Sequence, residues 1–135
     1  MAEIHVPISP GELIDKITIL EIKSERMTDP RKLENVRLEL RLLQETWAAS
    51  HYGNADIAAD RQALKQINEK LWVIEDEIRD KERDRAFDAR FIELARAVYV
   101  TNDERAAIKR RINDALGSAI VEEKSYADYR APSGD

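Results

Sequence analysis

Residues 57–78 read IAADRQALKQINEKLWVIEDEI, and in them Ile57, Leu64, Ile67, Leu71, Ile74 and Ile78 recur in steps of three, four and seven. Side chains three and four apart share one face of an α-helix, whereas a half-buried strand needs alternation every second residue. The stretch therefore predicts a helix that starts near Asp56 and lays one stripe against a neighbour. Upstream, Leu33, Val36, Leu40, Leu43 and Trp47 repeat the heptad spacing behind Asp29-Pro30, a capping residue followed by a proline at the first helical position. They predict a second helix from Pro30 to about Ala49, closed by the Gly53-Asn54 turn. Further upstream, Ser9-Pro10-Gly11-Glu12 is a capping box. It opens a helix from Pro10 to about Met27, with Leu13, Ile17, Leu20 and Met27 as its core stripe.

Downstream the phase of the stripe fails. Phe87, Phe91, Leu94 and Val98 lie about half a turn round from the first stripe, and between the two runs Glu75–Arg85, in which ten of eleven residues are charged. This predicts a bend or short loop near residues 82–88, against the rival of one unbroken helix. Thr101-Asn102-Asp103-Glu104 reads as another capping box, opening a last helix with Ile108, Ile112 and Leu116 on one face and Gly117 after its end. Ile4, Val6 and Ile8 alternate with polar residues or proline, and Ala119–Ser125 also reads as extended. These two flanks are candidates for a short β-ribbon joining the termini.

The fold class is thus all-α: an antiparallel bundle of four or five helices, in a single domain over residues 1–130 with a disordered tail at 131–135. A chain of 135 residues suits one domain with a real core. Several function classes recede on composition. The net charge of −5 lacks the basic surplus that phosphate contacts require, so nucleic acid is not expected as a partner. With no cysteine there is no disulfide, thiolate metal site or cysteine nucleophile. His5 and His51 stand alone, with no Glu-x-x-His pairing, so no metal site and no cofactor are expected. No secretory leader or membrane-spanning run is visible, which points to a cytoplasmic chain without membrane insertion.

Some residues break the pattern. Glu21 falls on the apolar side of the first helix, where a carboxylate must be paired, solvated or protonated. With Lys16 it is the candidate acid/base pair, against the plainer reading of a salt bridge to an arginine of the second or third helix. At the start of the last helix, Asn102, Asp103, Arg105 and Lys109 are candidates for an anion site, using the free N–H groups of the Thr101 cap. The plainer reading there is a solvated basic face. Ile19 and Ile22 on the first helix, Leu38 and Leu42 on the second, and Trp72 and Val73 on the third lie off the main stripes. Such extra faces suit a homo-oligomer, a dimer first, or a protein partner.

The run from Pro7 to Lys23, PISPGELIDKITILEIK, resembles the opening phrase of a small bacterial family of unknown function. The stretch RFIELAR at 90–96, with Tyr99, Asn102, Asp103, Arg105, Ala106, Lys109, Ile112 and Asn113, is similar to the same family, as is Lys124-Ser125-Tyr126. The resemblance spans nearly the whole chain and brings no catalytic residues. It implies, from the neighbours of longer members, a role around bacterial surface-glycan assembly. Two function classes remain open: a non-catalytic helical interaction module, accessory to such metabolism, or a small helical enzyme or metabolite binder.

Overall fold

A computed structural model describes residues 3–130, so the tail expected at 131–135 lies outside the described residues. The described chain forms four helices: α1 (Pro10–Arg26), α2 (Pro30–Ala49), α3 (Ala58–Arg83) and α4 (Ala89–Leu116). The sequence caps two of them as read. The Ser9 hydroxyl accepts from the Glu12 backbone N–H at 3.2 Å, and the Asp29 carboxylate accepts from the N–H groups of Arg31 and Lys32. Each satisfies donors that a helix N-terminus leaves without a partner.

The break between α3 and α4 falls at residues 84–88, inside the stretch where the stripe loses phase. No glycine marks it, yet the chain closes α3 as glycine usually does. Arg85 takes φ of 52°, Ala86 N–H reaches back to the Lys81 carbonyl at 2.9 Å, and Arg85 N–H reaches that of Glu82 at 3.1 Å. This is a Schellman closure with arginine in the left-handed position. At the other end of α4 the same motif carries Gly117, with φ of 66° and Ser118 N–H on the Asn113 carbonyl. Asp88 then caps α4 by accepting from Phe91 N–H at 3.0 Å, and the Lys81 ammonium clasps Asp88 across the turn at 2.9 Å.

One break leaves no room for the second. The expected start at Thr101 is wrong: α4 runs straight through it, and Thr101 is buried in mid-helix. Thr-Asn-Asp-Glu suits a cap, but a cap forms only where the preceding turn is absent, and here the helix has already begun at Asp88. The helix count is therefore four, not five. The terminal β-ribbon is also absent, since no strand occurs among the described residues. Ile4 and Val6 stand exposed, and Pro7 brings no N–H to a ladder. The segment after Gly117 instead folds back along α4 as a strap, tied by ion pairs from Glu122 to Lys109 and from Glu123 to Arg110.

α1 is the central helix. It packs on α2, α3 and α4, whereas α2 packs closely on α1 alone. α4 runs antiparallel to α1, pairing Gly11 with Asn113, Glu12 with Lys109 and Asp15 with Arg105. It also runs antiparallel to α3, pairing Asp60 with Arg111 and Glu77 with Arg90. The core gathers Leu13, Ile14 and Ile17 of α1 with Trp47, Leu64, Ile108 and Ile112. Ile22, expected at the edge of a polar arc, is buried because α1 is covered on several sides within one chain. Gly11 sits directly against the α4 backbone. A Cβ there would stand 2.5 Å from the Lys109 carbonyl oxygen and 2.8 Å from Asn113 Oδ1. No helix among those described is long and apolar enough to cross a membrane.

A left-handed conformation costs a non-glycine residue about 1–2 kcal/mol, and the exposed Arg85 bears that strain. Arg85→Gly is expected to stabilise the protein by about 1 kcal/mol in urea unfolding, because glycine removes the strain at a modest entropic cost.

Candidate functional site

The most unusual side chain of α1 is Asp15, which is 1% exposed. α1 carries it into the angle between α3 and α4, where three groups meet its carboxylate and backbone. Arg105 of α4 grips the carboxylate with both ends of its fork: Nε donates to Oδ1 at 2.8 Å and Nη2 donates to Oδ2. Asn68 of α3 donates from Nδ2 to Asp15 Oδ1 at 2.9 Å and to the Thr18 hydroxyl at 3.1 Å. That hydroxyl in turn donates to the Asp15 carbonyl at 2.9 Å. An ionised carboxylate only accepts, so the bonding fixes the orientation of the Asn68 amide. The carboxylate raises the pKa of the Arg105 guanidinium against the opposing effect of burial.

Three of the five N–H groups of Arg105 remain beyond this grip, two on Nη1 and one on Nη2, and Nη1 makes only a long contact of 3.5 Å with Asn102 Oδ1. Arg105 forms the floor of a cleft of about 490 Å³ together with Asn68 and Asn102. Ile19, Ile22, Leu71 and Trp72 give it apolar walls, and Glu75, Asp76 and Arg79 stand at its rim. Because Asp15 cancels the charge of Arg105 and the rim carries two acids to one base, the cleft has no net attraction for an anion.

One turn further along α4 a second junction is built on Lys109. Its ammonium lies 2.6 Å from Glu12 of α1 and 2.8 Å from Glu122 of the strap, with the side chain only 9% exposed. Burial pulls its pKa down, but the hydrogen bonds to the two glutamates outweigh that and leave it raised. The hydrogen bond from Lys109 holds Glu122 below the usual glutamate range. Gly11 N–H, donating to Asn113 Oδ1 at 2.7 Å, closes this end of the interface.

The candidates read from the sequence are divided by this geometry. Arg105 and Lys109 do face α1, and the opening motif and the 102–113 segment do share one interface. Their partners there are Asp15 and Glu12, not Lys16 or Glu21. Lys16 is exposed and lies 3.7 Å from Glu12. Glu21 binds Arg61 of α3 at 2.8 Å, with Lys65 at 3.7 Å, which is the salt bridge weighed as its plainer reading. Asp103 turns to the other side of α4, where it lines a hollow with Tyr129 and its carboxylate raises the pKa of that phenol. The N–H groups of a helix start are not available at Asn102 or Asp103, because both sit in mid-helix. The sequence reading missed Asp15, Asn68, Thr18 and Glu12. Asp15 lies among Glu12, Lys16, Lys23 and Arg26 on the wheel and so passes for surface. The near signal was Ile19 and Ile22 in the same arc, which already implied a cover there.

A model of a family of unknown function (DUF6165) matches residues 4–134, and the chain belongs to that family. No curated protein matches it, and no solved structure does.

The burial contrast sets two expectations. Removing one partner of a buried pair strands the other charge, whereas a part-exposed pair contributes little. Arg105→Ala is therefore expected to cost about 3–5 kcal/mol in urea unfolding, and Glu21→Gln less than about 1 kcal/mol. The second concerns pH. Glu122 is depressed in the folded chain, so its tie to Lys109 is fully present above the ordinary glutamate pKa and is lost as pH falls through the lower folded value. Lys109 is raised, so the same tie fails at high pH only above the ordinary lysine range. NMR signals of residues 119–130 should stay put across neutral pH and shift on acidification below pH 4.5, with Lys109→Met showing the acid-like pattern at pH 7.

Proposed function

We propose that this member of the family is a non-catalytic helical interaction module that works as a homodimer. One observation carries the reading. The charged groups turned into the bundle are already engaged inside the chain, while apolar side chains at the cleft and on neighbouring faces are not. Asp15 and Arg105, Glu12 with Lys109 and Glu122, and Glu21 with Arg61 form closed sets of acids and bases. A general acid or base needs a proton it can pass to a substrate, and a carboxylate locked in a bidentate arginine grip is poorly placed to do so. By contrast, Trp72 and Ile19 wall an open cleft, Val73 is half exposed beside them, and Leu38 and Leu42 are uncovered on α2.

The cleft suits a polypeptide better than an ion. A main-chain carbonyl can take the spare N–H groups of Arg105, and an apolar side chain can fill the space between Ile19 and Trp72. The closed polar network behind them holds the floor rigid, which lowers the ordering cost of binding. A second copy of the chain is the occupant we assign, in keeping with the prevalence of twofold homodimers.

Sedimentation equilibrium of the purified chain tests this. A dimer should form with a dissociation constant below about 100 µM, roughly 5.5 kcal/mol, and Trp72→Asp should return it to the monomer with helicity unchanged. A wild-type chain that stays monomeric well above that concentration overturns the dimer. A dimer indifferent to Trp72→Asp places the interface elsewhere and removes the cleft from it.

A further inference from the structure

The strap creates a second hollow on the opposite side of Asn102 from the Arg105 cleft. It measures about 760 Å³ and lies between α4 and residues 124–130. Three of the chain's four tyrosines line it: Tyr99 from α4, and Tyr126 and Tyr129 from the strap. Tyr99 and Tyr129 pack with ring centroids 4.9 Å apart at 57°. Tyr126 is 83% exposed, with the Lys124 ammonium 5.9 Å from its ring centroid. Anchoring the strap does not require these rings, because Glu122 and Glu123 already tie it to Lys109 and Arg110.

The polar lining is selective. Asp128 is held by Arg130 at 3.1 Å, and Asp103 lies in the same lining near Tyr129, whose pKa it raises. Lys124 has no carboxylate within ion-pair distance among the described residues; what it meets is the Tyr126 ring. The hollow thus offers electron-rich aromatic faces and one cation without an acidic partner, in a volume within the range of small-molecule sites. Phenol rings stack on flat, electron-poor heterocycles, and stacking tolerates any base because each has a π-face. A lysine ammonium is a point-charge partner for a phosphate.

We propose that the hollow between α4 and the strap is a binding site for a planar heterocycle carrying an anionic group, the chemistry of a nucleoside monophosphate. The ring stacks on Tyr126 beside the Tyr99–Tyr129 pair, and Lys124 meets the phosphate. This site is distinct from the dimer cleft, with which it shares Asn102 alone.

Isothermal titration calorimetry of the full chain tests it with adenosine and uridine 5′-monophosphates, the two nucleosides, and inorganic phosphate. Both monophosphates should bind, with the nucleosides and phosphate each weaker by about tenfold or more. Tyr126→Ala and Lys124→Ala should each weaken the monophosphates by about tenfold. Both residues are exposed, so an unchanged melting temperature shows that the fold is intact, and Trp72→Ala should leave the titration unaltered. Absence of binding overturns the proposal. Phosphate binding as tightly as the nucleotides overturns the stacking role, and nucleosides binding equally well overturns the role of Lys124.

Discussion

A carboxylate buried at the centre of a helix bundle restricts everything packed round it. Asp15 is enclosed by α3 and α4, where Asn68 and Arg105 reach its carboxylate. The pair adds little net stability over apolar side chains of the same size, because desolvation offsets most of the Coulomb attraction. Its effect is on register. If α4 slipped by one turn along α1 so that Thr101 came to face it, Asp15 would stand in the core without a counter-charge, at a cost of several kcal/mol. A slip the other way would carry the Lys109 carbonyl from Gly11, which has no Cβ, onto a residue of α1 that has one. One interface is therefore fixed twice, electrostatically at Asp15 and sterically at Gly11.

The helices were legible where the cause is local. The Ser9 and Asp29 caps act over two or three residues, and the Ile57–Ile78 stripe follows from helix geometry alone, so both are readable without a partner. The break before α4 shows through loss of phase, although its closure by Arg85 carries no signature, because arginine seldom holds a left-handed position. Thr101 misled for the opposite reason: the motif is present, but the helix already running through it overrides it. The site was half legible. Arg105 and Lys109 were recognisable as cations on one face, yet their partners depend on which face of α1 meets α4. That is tertiary information, and Asp15 among Glu12, Lys16 and Lys23 is indistinguishable from a solvated acid until α4 is in place.

Asn102 gains significance from its place rather than its chemistry. It is the one side chain that lines both hollows, with its carbonyl oxygen toward Arg105 on one side and the tyrosine-walled space on the other. The two hollows therefore back onto the same turn of α4.

α2 has only one helical neighbour, and of its twenty residues Val36 and Trp47 alone are buried. The buried polar bonds of the bundle all lie among α1, α3 and α4. The chain is consequently built in two tiers of cooperativity. Opening of α2 requires the release of one apolar seam, while opening of the other three requires rupture of the network around Asp15. Amide hydrogens of α2 should therefore exchange through a local, low-energy opening, and those of α1 only through unfolding of the whole. The helix that stands second in the sequence is the last to be needed by the fold.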